Sequence, residues 1–305
     1  RRRRAPAGPY GRLRRRPRRP GTGHPRGAAP REPDPRTPVV LIHGLWLHAT
    51  SWQPWADLAD EHGYQPLAPG WPGEAATVAE ARRHPEAVAG LGIDEVTEHY
   101  AGIIRGLDRP PVLIGHSFGG LIAQKLLGAG LGRAAVAIDP AQIKGVKALP
   151  PAQLRAGFPV LGNPANRGRA VSLTAAQFRY GFGNALEQGE SDDLYERLTI
   201  PSPGRPLFQA AFANFARRSP AAVATGNADR GPLLLVSGQA DHTVPDVVTR
   251  SAYKLYGDSP AVTELKQFPD RGHSLVVDHG WRAVADHVLA WLARQGIPGR
   301  DTRHP

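Results

Sequence analysis

From Pro38 onward the chain alternates short apolar runs with longer stretches of helical period. PVVLIHG (38–44), PPVLIGHS (110–117), AAVAID (134–139) and PLLLVSG (232–238) are continuous apolar segments, too short for helices, as expected of strands buried on both faces. YQPLAP (64–69) and VTELKQFP (262–269) read as weaker strands. Between them, SWQPWADLADEHG (51–63) predicts a helix closed by Gly63. Val96, Tyr100, Ile103, Ile104 and Leu107 fall on one face of a helix over 94–107. FGGLIAQKLLGAG (118–130) predicts a largely buried helix, and another starts at about 246. A final amphipathic helix aligns Trp281, Val284, Ala285, Val288, Leu289 and Leu292. Strands alternating with helices predict a mostly parallel α/β sheet of about six strands, covered by helices on both faces.

One stretch breaks this rhythm. Residues 142–230 hold helical pieces, SLTAAQFRYGFGNAL (172–186) and ESDDLYERL (190–198), and Pro-rich joints such as IPSPGRP (200–206), but no convincing strand. A structureless loop of that length is out of place inside a compact domain. We read it as a helical lid inserted into a core made of 38–141 and 231–297, with 1–37 a disordered tail and 298–305 a flexible C-terminus.

Charge refines this picture. The net charge of +11 suggests a nucleic-acid or membrane partner, yet 13 of the 38 Lys and Arg residues and only 2 of the 27 Asp and Glu residues lie within 1–36, so the rest of the chain is neutral. The basic signal therefore belongs to the Arg/Pro/Gly/Ala tail, which lacks the apolar positions a core requires. The core is expected to bind no nucleic acid, and the tail to be dispensable for its chemistry, with electrostatic binding of the tail to nucleic acid or an anionic surface as the alternative. Arg pairs in the tail are not followed by an apolar stretch, so no signal peptide is expected and a cytoplasmic location is. No run is long enough to span a membrane. The chain has no cysteine, which excludes a disulfide framework and thiolate catalysis.

The candidate chemistry begins at Gly115-His116-Ser117-Phe118-Gly119, a G-x-S-x-G pentapeptide between a predicted strand and a helix. Such a turn forces the serine into a strained conformation and presents its hydroxyl at the strand end, while the glycines remove side chains that would collide there. A serine hydroxyl needs a base, and the base needs an acid to orient it. VSGQADHTVP (236–245) places Asp241 just beyond a strand, and FPDRGHSLVVDHG (268–280) places His273 after the next. All three follow strand ends at one sheet edge, where open α/β sheets carry their sites. Asp139, ending another strand, is the rival acid. His116 is expected to be structural, His43 to brace a nearby loop, and His242 to be exposed. No His/Asp/Glu set has metal-ligand spacing, so neither a metal nor another cofactor is proposed.

From residue 38 to about 295 the chain resembles the α/β-hydrolase superfamily, whose nucleophile–acid–base order is that of Ser117, Asp241 and His273. LIHGLW (41–46) resembles that family's His-Gly loop. The resemblance implies an oxyanion hole formed by the backbone N–H groups of Leu45, with Trp46 the near alternative, and Phe118. Trp46 is also expected to line the substrate pocket. HGLWLHATSW (43–52) and the short start resemble the methylesterase and hydroxynitrile-lyase branch. The lyases carry a Lys after the catalytic His, where this chain has Ser274, which argues against cyanohydrin cleavage. The implied activity is serine hydrolysis of an ester-like bond in a small, largely apolar molecule. Perhydrolysis, carbon–carbon hydrolysis and non-catalytic ligand binding remain the alternatives.

Overall fold

The computed structural model describes residues 34–300. The Arg-rich tail up to residue 33 and residues 301–305 lie outside the described residues, and with them the expectations of disorder and dispensability made there.

The strands are β1 (Pro38–Ile42), β2 (Gln65–Leu67), β3 (Val112–His116), β4 (Ala134–Ile138), β5 (Ala170–Val171), β6 (Ser202–Pro203), β7 (Leu233–Gly238) and β8 (Thr263–Phe268). Six of them form one parallel sheet in the order β2-β1-β3-β4-β7-β8, matching the expected strand number. The helices are α1 (Gln53–Glu61), α2 (Val78–Arg83), α3 (Ile93–Arg105), α4 (Phe118–Gly128), α5 (Pro151–Leu161), α6 (Ala175–Gly181), α7 (Gln188–Leu198), α8 (Arg205–Ala211), α9 (Asp246–Lys254) and α10 (Trp281–Arg294).

Alternate residues of the central strands feed two separate cores. Val40, Ile42, Leu113, Ala135, Ala137, Leu233 and Leu235 pack with α3, α4 and α9 on one face. Val39, Leu41, Val112, Ile114, Val136, Leu234 and Val236 pack with α1 and α10 on the other. Both faces are dry, which explains why the strand sequences are apolar runs with no polar alternation. At about 1.5–3 kcal/mol for each fully buried aliphatic side chain, this double burial is the main source of stability.

The segment between β4 and β7 contains α5 to α8 and a two-residue antiparallel ribbon of β5 and β6, a strand pairing that its sequence did not signal. The sequence pattern does not signal helices α5 and α8 either. Both begin with proline in the first turn, where its missing N–H leaves no bond unmade, and α5 carries Pro159 near its end. The chain termini need a correction. Residues 34–37 and 298–300, assigned to flexible ends, are ordered against each other. Thr37 N–H donates to the Gly299 carbonyl at 2.7 Å and its hydroxyl to the Pro298 carbonyl at 2.8 Å. Arg36 binds Asp34, Asp60 at 2.6 Å and the Tyr64 carbonyl at 3.2 Å.

The β3–α4 turn depends on backbone contact between glycines and their neighbours. A Cβ on Gly119 would overlap the Ile42 carbonyl, and one on Gly115 would overlap the Gly119 carbonyl. Gly119→Ala should therefore prevent folding or destabilise by at least about 3 kcal/mol, as strained overpacking does. Gly102→Ala, on the exposed face of α3 with nothing near the new methyl, should stabilise by about 0.5–1 kcal/mol. Urea unfolding midpoints of the two variants check both signs.

Candidate active site

Ser117 leaves β3 with φ 56° and ψ −120°, in a region that side-chain-bearing residues rarely occupy. The turn is held from three sides. Ser117 N–H donates to the Ile138 carbonyl at 2.9 Å, while its own carbonyl accepts from Gly120 at 2.9 Å and from Ala141 at 2.9 Å. The side chain lines a cavity of about 430 Å³ and is otherwise enclosed.

Asp241 and His273 meet as expected. His273 Nδ1 donates to Asp241 Oδ2 at 2.6 Å, and both side chains are buried. The other carboxylate oxygen accepts the Thr243 and Val244 N–H groups at 2.6 and 2.9 Å. The carboxylate thus has its charge shared among three donors, and its grip on Nδ1 leaves Nε2 as the basic nitrogen. That Nε2 is buried with no hydrogen-bond partner, so a bond from the Ser117 hydroxyl is not formed in this arrangement. His273 is fixed from behind. His116 Nε2 donates to its carbonyl at 2.8 Å, and the Phe182 ring meets the imidazole edge-on with centroids 4.7 Å apart.

Asp139, the rival acid, does not bond His273. Its Oδ1 accepts Gly238 N–H at 2.7 Å, and its backbone sits at φ 40°. Burial, then the neighbouring Asp241 charge, push its carboxyl well above the usual range. Burial also holds His116 well below its ordinary value, helped by repulsion from His273.

The His-Gly loop lies directly over the serine. A Cβ on Gly44 would sit 2.7 Å from Ser117 Cβ and 3.2 Å from Phe118 N, so only glycine admits this approach. Of the two candidate donors in the loop, Trp46 N–H is already given to Ser202 Oγ at 2.7 Å. Leu45 N–H donates to no acceptor among the described residues, and Phe118, first in α4, has no intrahelical acceptor. Trp46 lines the cavity, and its Nε1 donates to the Val171 carbonyl at 3.0 Å.

Under the loop lies an ion pair that the sequence did not signal. His43 Nε2 meets Glu74 Oε2 at 3.0 Å while Nδ1 donates to the Gly44 carbonyl at 2.8 Å. Glu74 Oε1 also accepts Ala49 N–H at 3.0 Å. Burial opposes both charges, but their mutual attraction and hydrogen bonds outweigh it, raising the His43 value and lowering that of Glu74. His43 thus braces the loop. His242 is half-buried rather than exposed, packed on Tyr180 with centroids 4.7 Å apart. Donor atoms of His116, Asp139 and His273 lie within 4.8 Å of one another. As a metal site the set is poor: His116 Nε2 and His273 Nδ1 already donate, and Asp139 Oδ1 already accepts the Gly238 N–H.

The comparisons agree with this architecture. The model of the alpha/beta hydrolase family matches residues 39–287. The chain belongs to that family. Among solved structures it is similar to a monoacylglycerol lipase from Paleococcus ferrophilus, with TM-score 0.59 and 22% identity over 86% of this chain and 96% of that one. It is also similar to an extracellular alpha/beta-hydrolase from a Paenibacillus species, with TM-score 0.61 and 18% identity over 87% and 100% of the two chains. A methylesterase from Arabidopsis matches with TM-score 0.59 and 14% identity over 85% and 99%. At these identities the structural matches establish the hydrolase fold. A comparison with curated protein sequences finds no match.

The buried pair under the loop sets a pH-dependent stability. A raised His43 contributes stability that is complete below its ordinary value of 6.5 and lost as pH rises through the folded value. A lowered Glu74 contributes stability that is complete above 4.5 and lost as pH falls through its folded value. Glu74→Gln should therefore lower the melting temperature most between those two ordinary values and less at alkaline pH. Thermal melts of wild type and variant across pH check this; a deficit that grows toward alkaline pH would contradict it.

Proposed function

We propose that this family member is a serine hydrolase acting on the ester bond of a small, uncharged, largely apolar molecule. The observation that carries the reading is the strained Ser117, which opens on a large cavity beside the preformed Asp241–His273 pair. Ser117 Oγ attacks the ester carbonyl as His273 Nε2 takes its proton, and Asp241 stabilises the imidazolium. The carbonyl oxygen, now an anion, is held by Leu45 and Phe118 N–H groups. His273 returns the proton to the leaving alcohol. Water then hydrolyses the acyl-enzyme by the reverse sequence. The bond between Ser117 and His273 forms as substrate fills the cavity, since catalytic hydrogen bonds often tighten only in the bound complex.

Cavity chemistry supports the substrate class. Its polar lining is confined to Ser117, Gln142, Gln153 and Thr243, and no charged side chain contributes. A carboxylate buried there would lose hydration without gaining a partner. Neighbours described as a lipase and a methylesterase are consistent with ester chemistry.

Two comparisons test this reading. On p-nitrophenyl butyrate, Ser117→Ala should lose roughly 10⁴- to 10⁶-fold in kcat while keeping the fold. Asp241→Asn should lose about 10⁴-fold because the amide favours the wrong His273 tautomer. Asp139 does not bond His273, so Asp139→Asn should change kcat by less than about tenfold. A larger loss at Asp139 than at Asp241 would move the acid to the end of β4. Wild type should also prefer the butyrate to the equally long hemisuccinate ester by at least about tenfold in kcat/KM, a carboxylate's desolvation being uncompensated. Equal rates would remove the neutral substrate class.

A further inference from the structure

The mouth of the cavity carries an apolar rim that the fold leaves exposed. Eight large apolar side chains are exposed among the described residues, and five of them, Leu149, Leu154, Phe158, Phe212 and Phe215, belong to the segment between β4 and β7. Phe158 and Phe215 are 70% and 85% exposed. The five form one patch. Leu149, Leu154, Phe212 and Phe215 all line the same cavity, and Phe158 lies one turn beyond Leu154 on α5, which packs against α8. Leaving this much aromatic and aliphatic surface in water is unfavourable and marks an interaction face.

The charges around it have one sign. Residues 140–186 hold six Lys and Arg and no Asp or Glu, and residues 197–228 hold four Arg and no Asp or Glu. Apart from Asp229 at its end, the acids of the inserted segment lie in 187–196, in α7 and its start, where Glu190 is engaged by His279 at 2.9 Å. Lys147, Arg155, Arg217 and Arg218 are exposed next to the rim residues in sequence, and none pairs with an acid among the described residues. This is separate from the Arg-rich tail, which lies far away in sequence.

From the exposed rim and its acid-free basic surround, we propose that this face docks on a lipid surface bearing anionic headgroups. Leu and Phe side chains enter the acyl boundary while the flanking Arg and Lys meet the phosphates, the division of labour of interfacial binding elements. An apolar substrate then passes from the lipid into a charge-free cavity without crossing water. The proposal concerns where the protein sits and holds whichever bond Ser117 cleaves.

The chain has no cysteine, so Phe158→Cys creates a single site for an environment-sensitive fluorophore, and Ala283→Cys on the opposite-face helix α10 is the control. Both are made in full-length Ser117→Ala protein, so that hydrolysis plays no part and failure of the esterase reading leaves the result intact. With phosphatidylcholine vesicles containing phosphatidylglycerol, the label at 158 should shift to the blue and be quenched by lipid-borne nitroxides. The label at 283 should not. Replacing both Arg217 and Arg218 by serine should raise the lipid concentration for half-maximal quenching by roughly tenfold. Three results would overturn the proposal. The label at 158 could stay in water while the protein sediments with the vesicles, meaning that the Arg-rich tail alone binds. It could already be buried in vesicle-free buffer at high protein concentration, meaning that a second copy covers the rim. It could respond equally to pure phosphatidylcholine, which would remove the anionic requirement.

Discussion

The site depends on one backbone constraint, the close passage of the β3–α4 turn against the end of β1. Ser117 occupies a φ that its side chain disfavours, at a cost of order 1–3 kcal/mol. Three glycines make the passage possible: Gly115 and Gly119 let the turn fold onto itself and onto Ile42, and Gly44 lets the His-Gly loop lie across the serine. The double-sided core over-determines these positions, so the strain is held rather than relaxed. What the constraint provides is geometric. The same turn aims the Ser117 hydroxyl into the cavity and leaves the Phe118 N–H free at the start of a helix.

Three buried acids around that turn have different surroundings. Asp241 accepts from His273 and two backbone donors, Asp139 beside it accepts one backbone donor and has its carboxyl pushed well up by burial, and Glu74 pairs with His43 on the far side of the His-Gly loop, its carboxyl held low. Two carboxyl groups side by side in a dry site oppose each other's ionisation, which adds to burial in pushing Asp139 up. This explains how acids at the ends of both β4 and β7 coexist without competing for the histidine.

Much of this was legible in the sequence. The six strands of the sheet, the serine turn and the strand-end positions of Asp241 and His273 each follow from unbroken apolar runs and turn glycines, which are local signals. That the Trp46 N–H is already taken was not legible, because its acceptor, Ser202 Oγ, lies 156 residues away. Glu74 lies in a Gly/Pro-rich loop whose pattern gives no hint of burial; only packing under the loop reveals it. Helices α5 and α8 were hidden by prolines that act as starters. The ordering of 34–37 against 298–300 is a long-range pairing that no local pattern encodes.

The central claim is that Ser117, and no other residue, is the nucleophile the fold prepares. Intact-mass and peptide-mapping analysis after treatment with a fluorophosphonate tests it most directly. The account predicts one adduct per chain, on Ser117, formed at a rate that falls steeply in His273→Ala and abolished in Ser117→Ala. An adduct on another residue, or undiminished labelling of the Ser117→Ala protein, would contradict it.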